Sequence, residues 1–151
     1  MTVEETIKAQ YAFIFKSDRA HWFPFKQAAD FYFKNAALLK KKHIKSSDEL
    51  RLWFRNVQKR LFIGIATELL LKAIYLKNGF NINKPKRGKN VQFPELINNL
   101  NEDDLNAADT YTLADLINNL DKVLAFINDI TRIKEGLNIC KVFRNKEGHV
   151  A

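Results

Sequence analysis

Along most of this chain, apolar residues recur at intervals of three and four, the spacing that one face of an α-helix requires. The longest such series ends before Asn78 and Gly79, a pair typical of a helix C-terminus. Ser46, with Glu49 three residues later, has the form of a capping box and predicts where this helix begins. The apolar positions of the series are Leu50, Trp53, Val57, Leu61, Ile65, Leu69, Ala73 and Leu76. We therefore predict one long helix that packs along much of the domain.

Three other segments show the same spacing and predict three further main helices. The first covers residues 3–16. The second begins at Pro24, whose restricted φ suits the first turn of a helix, and ends near Leu39. The third has its apolar positions between Leu113 and Phe143 and continues toward the C-terminus, and Gly136 predicts a kink or a boundary inside it.

Shorter elements are expected at residues 94–100 and 102–104. The three carboxylates at 102–104 favour the first turn of a helix over a metal site, because carboxylates complement the helix dipole there. No segment shows the alternation of a strand bounded by turns. We therefore predict one all-α domain over residues 1–151, a bundle of four main helices with short extra helices.

Cys140 is the only cysteine, which excludes an intramolecular disulfide and favours the reducing cytoplasm. Residues 1–5 are acidic and lack the basic start and apolar stretch of a signal peptide. The longest apolar stretch, residues 61–76, is interrupted by charged residues and is shorter than the roughly 20 residues that cross a bilayer. We expect a soluble, cytoplasmic protein without a membrane segment.

The net charge of +8 is unevenly distributed. Residues 1–90 hold 19 Lys or Arg against 7 Asp or Glu, whereas residues 91–151 hold 6 against 10. This asymmetry favours a polyanionic partner, although a basic surface that only serves solubility is the alternative. A basic string in a predicted loop is a candidate to hold an RNA backbone, unless it is simply a solvated loop. Its members are Lys84, Lys86, Arg87 and Lys89.

The last predicted helix carries Arg144, Asn145 and His149 within six positions. Asn145 and His149 are one turn apart on one face, and Arg144 is adjacent and long enough to reach the same space. Arginine binds a phosphate through two parallel hydrogen bonds, and histidine exchanges protons near neutral pH. Lys141 and Lys146 on the same helix are candidate RNA contacts. This grouping suits chemistry on a phosphate.

RNA cleavage by its own 2′-hydroxyl needs a proton acceptor, a proton donor and a cation for the charge that develops on phosphorus. It needs no metal and no other cofactor. Since one chain supplies one candidate catalytic histidine, two copies of the helix across a twofold axis would supply both proton-transfer groups. We therefore expect a homodimer with the site at its interface. The apolar residues expected there are Ile133, Leu137, Cys140 and Phe143.

The same spacing has a simpler explanation. Arg144 and Glu147 would form a surface ion pair, and His149 would be a frayed residue near a chain end. An arginine and a histidine five residues apart are often found by chance. Spacing alone therefore leaves both interpretations open.

The segment also resembles a known motif. Arg144-Asn145-x-x-x-His149 is similar to the Arg-x4–6-His motif of HEPN domains, the nucleotide-binding helical domains of higher eukaryotes and prokaryotes. In that family a polar residue such as Asn often follows the arginine. Residues 25–39 and residues 66–74 also resemble stretches of that family.

The resemblance implies a bundle that dimerises through its motif helices and is often a metal-independent ribonuclease of toxin–antitoxin, abortive-infection or other defence systems. Carried over by position, Arg144 and His149 are catalytic and Asn145 orients the site. Glu68, on an earlier helix, is a supporting candidate, although an ion pair with Lys72 four residues later explains it more simply.

Three functions are thus in competition. The leading hypothesis is a homodimeric HEPN-like RNA endonuclease that needs no metal. The main alternative is a non-catalytic HEPN-type binding and dimerisation module paired with a nucleotidyltransferase-like antitoxin, and a purely structural helical protein is the third. RNA cleavage by the purified protein separates the first from the second, and a neighbouring nucleotidyltransferase gene disfavours the third.

Overall fold

Two long antiparallel helices form the frame of the fold. A computed structural model describes residues 2–3, 22–41, 49–84, 93–100 and 109–148 of the chain. Helix α1 is Trp22–Lys41 and helix α2 is Glu49–Lys77. The ammonium group of Lys77 lies 4.8 Å from the ring centroid of Trp22, and the rings of Tyr32 and Phe62 are 5.5 Å apart. The start of α1 therefore lies beside the end of α2.

The end of α2 confirms the prediction from Asn78 and Gly79. Gly79 has a φ of +82°, in the region that favours glycine. Its amide donates to the carbonyl oxygen of Leu76 at 3.0 Å, and the amide of Phe80 donates to Tyr75 at 2.9 Å. These two bonds are those of a Schellman motif, which satisfies the last carbonyl groups of the helix.

After α2, the irregular segments at residues 80–84, 93–97 and 109–111 pack side by side. The amide of Asn81 donates to the carbonyl oxygen of Glu95, and the amide of Tyr111 donates to Ile82, each at 2.9 Å. The helix expected at 94–100 is only a 3-10 helix, Ile97–Asn99. The backbone before it is extended and forms an isolated bridge with residue 80, which delays the helical turn.

The C-terminal part contains three helices, α3 (Leu113–Asn118), α4 (Leu120–Val123) and α5 (Ile130–Gly148). Of the kink or boundary predicted at Gly136, the boundary is wrong, because α5 runs through this residue and the break lies at 124–129. An exposed glycine costs a helix about 1 kcal/mol, which the packing of the flanking turns outweighs.

The ammonium group of Lys134 joins α5 to the short helices. It donates to Asp121 at 2.6 Å and to the carbonyl oxygen of Asn118, at the end of α3, at 3.0 Å. The hydrogen bond from Lys134 lowers the pKa of the Asp121 carboxyl. This contact fixes the first turns of α5.

The hydrophobic core lies between the C-terminal half of α2 and the helices α3 to α5. Ile130 and Leu137 of α5 pack against it. Its buried members include Leu71, Tyr75, Leu76, Ile82, Leu116, Ile117 and Leu120. Leu137 packs at this end of α2, whereas Arg144, about two turns later, lies against Gly64 in the middle of α2, so α5 runs antiparallel to α2.

Within the described ranges the regular elements are all helical, so the fold is all-α as predicted. The helix expected at 3–16 and the capping box at Ser46 lie largely outside those ranges. No helix in the described part is both long enough and apolar enough to span a membrane.

Candidate functional site

Helix α5 meets α2 backbone to backbone at Gly64. A Cβ atom placed on this buried glycine would lie 2.7 Å from both the Cα and the amide nitrogen of Arg144. No alanine fits such a space without movement of one helix. The contact places the first residue of the predicted motif against the middle of α2.

Arg144 donates from Nε to a carboxylate oxygen of Glu68 at 3.3 Å. The other oxygen of that carboxylate is 3.0 Å from the ammonium group of Lys72. The predicted ion pair of Glu68 with Lys72 is therefore confirmed. Glu68 also contacts Arg144 at the same time, as a group that supports the motif would.

The three groups differ in access to solvent. The side chain of Arg144 is 39% exposed, whereas those of Glu68 and Lys72 are 23% and 12% exposed. The pair with Glu68 uses the Nε edge of the guanidinium, and the two terminal nitrogens carry its four other N–H groups. That terminal edge suits two parallel hydrogen bonds to a phosphate.

The other predicted motif residues are described only in part. Asn145 and Lys146 belong to α5, but their side chains lie outside the described part of the structure, as does all of His149. Their distance from the Arg144 guanidinium is therefore a prediction from spacing. Lys141, one turn before Arg144, is half-buried on α5.

The basic loop is described only at its first residue. Lys84 is exposed, and its amide donates to the carbonyl oxygen of Asp109 at 2.8 Å. This bond holds the start of the loop against the segment before α3. The remaining predicted RNA contacts of the loop, Lys86, Arg87 and Lys89, lie outside the described residues.

The face of α5 expected at a dimer interface is partly used within the chain. Leu137 packs against the protein's own core, and Cys140 and Phe143 are half-buried. Ile139 and Val142 are instead 60% and 53% exposed. Ile133, the fourth residue expected at the interface, is 38% exposed. Contact of this face with a second copy stays a prediction, because helical spacing does not reveal which apolar face the monomer itself buries.

Sequence reasoning missed Gly64. An isolated glycine inside a strong helical pattern costs about 1 kcal/mol relative to alanine, so its presence often has a packing reason. That energetic cost was the one feature of the sequence that could have marked Gly64 as a close helix contact. The partner of the contact, Arg144, lies too far along the chain to be found from periodicity.

Comparisons with models of known protein families, with characterised proteins and with solved structures found no match. The resemblance to HEPN domains therefore rests on the motif at residues 144–149 and on the stretches at residues 25–39 and 66–74 alone. Within the described part, no group of three or more His, Cys, Asp or Glu side chains is arranged to hold a metal ion.

Proposed function

We propose that the protein is a HEPN-type RNA endonuclease that acts in the cytoplasm as a homodimer and needs no metal. The observation that carries this proposal is how the side chain of Arg144 is held and how accessible it is. Its Nε is held by Glu68, and its side chain is 39% exposed on the predicted motif helix. A fixed, accessible guanidinium suits the stabilisation of charge on a phosphate.

In the proposed reaction, the 2′-oxygen of a ribose attacks the adjacent phosphorus and the bond from phosphorus to the 5′-oxygen breaks. His149 of one copy accepts the 2′-hydroxyl proton, and the same residue of the second copy donates a proton to the leaving 5′-oxygen. Arg144 binds the phosphate oxygens and Asn145 orients the site. The products are a 2′,3′-cyclic phosphate and a free 5′-hydroxyl.

The exposed apolar residues of α5 support assembly of two copies. Ile139 and Val142 lie one turn apart, so both belong to one side of the helix. A twofold axis near this side would bring two motif helices together, while Arg144, two residues after Val142, stays on the side that faces α2. Such an enzyme suits toxin–antitoxin or abortive-infection systems, in which RNA cleavage stops growth.

A second function is favoured by the same ion pair. Because Arg144 already contacts a carboxylate of its own chain, the motif helix also suits a purely structural role. The protein would then be a non-catalytic module that binds a nucleotidyltransferase-like partner. This alternative predicts an intact fold and dimer, with no RNA cleavage.

Cleavage assays on varied RNAs test the proposal. Arg144→Ala and His149→Ala should each lower the cleavage rate on the order of 10²–10⁴-fold, as expected for loss of a phosphate-binding cation or a proton-transfer group. Asn145→Ala should show a smaller loss. A chelator should leave the rate unchanged, and the products should end in a 2′,3′-cyclic phosphate.

Lys122→Ala is the matched control, since it removes one exposed cation from α4. It should cleave RNA at the wild-type rate. Wild-type cleavage by His149→Ala contradicts the mechanism. Complete inactivity of the wild-type protein favours the binding module instead.

A further inference from the structure

Gly64 lies at the point where two helices touch through their backbones. It is buried in the middle of α2, a helix of 29 residues. Glycine in a helix interior costs about 1 kcal/mol relative to alanine, so this position is stabilised by something other than helix propensity. The contact with the backbone of Arg144 explains it: any side chain at residue 64 would collide with α5.

Gly64, Glu68 and Lys72 follow one another at intervals of four, so they share one face of α2. Gly64 receives the backbone of Arg144, and Glu68, one turn further along, receives its guanidinium. Helical side chains lean toward the N-terminus of their own helix. Since α5 is antiparallel to α2, this lean carries the arginine side chain from the level of Gly64 toward Glu68.

We propose that Gly64, Glu68 and Lys72 form a seat that fixes the guanidinium of Arg144 for phosphodiester cleavage. Gly64 is a positioning residue: it sets the distance between α2 and α5, and through it the reach of Arg144 to Glu68. The inference rests on the proposed ribonuclease function. Its consequence for rate follows because a misplacement of about 1 Å at a reacting group costs up to roughly 10²-fold.

Alanine at residue 64 disturbs this seat directly. The nearest atoms to its Cβ are backbone atoms at 2.7 Å, which cannot rotate away, and ordinary contact begins at 3.4 Å. The helices must therefore shift locally, by about 0.7 Å if the new methyl group is to reach ordinary contact, the difference between those two distances. The bond from Arg144 to Glu68 is already 3.3 Å long, so a separation of that size breaks it.

The kinetic test measures kcat and KM for RNA cleavage in dimeric, folded variants. Gly64→Ala should lower kcat by about 10-fold or more with little change in KM, since no charge is lost. Glu68→Leu should lower kcat similarly while KM stays equal or falls, because an anion beside the phosphate is removed. Gly136→Ala is the matched control, since its new methyl group would have no described atom within 4 Å apart from its chain neighbours and the backbone of its own helix. It should retain wild-type values.

A second readout is independent of cleavage. In a ¹⁵N-labelled protein, the Nε–H signal of Arg144, identified by its loss in Arg144→Lys, should exchange slowly with water. It should remain slow in Gly136→Ala and become fast in Gly64→Ala and Glu68→Leu. If Gly64→Ala does not fold, Glu68→Leu alone tests whether Arg144 is fixed, because it removes the hydrogen-bond acceptor without crowding the helices.

The two readouts distinguish failure of the seat from failure of the enzyme. If the wild-type protein does not cleave RNA but its Arg144 signal exchanges slowly and depends on Glu68, the proposed ribonuclease function is wrong and the contact of Arg144 with Glu68 stands. If Glu68→Leu keeps the wild-type kcat and its Arg144 signal still exchanges slowly, the proposal that Glu68 fixes the guanidinium of Arg144 is wrong.

Discussion

Leu137 and Ile139 are two residues apart on α5 and face opposite ways. Leu137 packs against the core, whereas Ile139 is 60% exposed. Residues two apart in a helix are separated by about 200° around its axis, so one faces the protein when the other faces solvent. Ile139 and Val142 are the most exposed apolar side chains in the described part of α5, so we place the proposed dimer interface on their side of the helix.

Replacing Ile139 and Val142 together by Glu should therefore produce a folded monomer. Four buried like charges across a twofold interface would be strongly unfavourable, whereas exposed charges on a monomer cost little. Light scattering at micromolar concentration should report twice the 17.6 kDa chain mass for the wild type and the single mass for the variant. The same pair of substitutions should abolish cleavage if the site is shared.

Phe126→Glu is the control, because Phe126 is 76% exposed and lies outside α5. This variant should remain a dimer. A wild-type monomer over that concentration range contradicts a shared site, and a dimeric double variant moves the interface to another surface.

Tyr75 predicts a loss of stability at high pH. Its buried hydroxyl donates to the carbonyl oxygen of Leu116 at 2.7 Å. Burial, with the nearby charges of Asp121 and Asp115, raises the pKa of this hydroxyl above its ordinary value. The contribution is fully present below about pH 10, where the unfolded chain also keeps the proton. Above that pH the unfolded chain ionises first, so stability falls as pH rises.

Denaturant unfolding between pH 8 and pH 11 measures this effect. The wild type should lose up to about 1.4 kcal/mol per pH unit from this group above pH 10. Tyr75→Phe should be less stable at pH 8 by roughly 1–2 kcal/mol, through the lost hydrogen bond, and should depend less on pH. Some dependence should persist, because burial also raises the pKa of Tyr111. An unchanged slope in Tyr75→Phe would contradict the assignment.

The basic loop predicts a salt-dependent affinity for RNA. Neutralising its four cations should weaken binding and reduce the slope of log K against log salt by up to about 3, since each single-stranded phosphate contact contributes roughly 0.7. The substitutions are Lys84→Ala, Lys86→Ala, Arg87→Ala and Lys89→Ala. Filter binding or fluorescence anisotropy between 50 and 200 mM salt, about the range over which such slopes are resolved, measures the effect.

A control with the same loss of charge removes dispersed lysines from the helices. Its substitutions are Lys26→Ala, Lys34→Ala, Lys77→Ala and Lys122→Ala. The slope of this control should change less than that of the loop variant. Equal slopes in the loop variant and the wild type would identify the loop as solvated surface.

Several features could be predicted from the sequence, because they depend only on interactions between residues close together along the chain. The helical content follows from apolar spacing, because that spacing determines which residues share a face. The end of α2 follows from Gly79, since few other residues adopt a φ of +82° without strain. The ion pair of Glu68 with Lys72 follows from a separation of four residues, which helix geometry alone brings together.

Only the tertiary structure decided what those faces contact. Gly64 and Arg144 are 80 positions apart, and Glu68 is 76 positions from Arg144, so no local rule relates them. Periodicity determines the faces of α2 and α5, but the offset of one helix along the other is set by packing of the whole core. The contact at Gly64 depends on that offset, because a shift of one turn would place Arg144 beside a side chain instead of beside bare backbone.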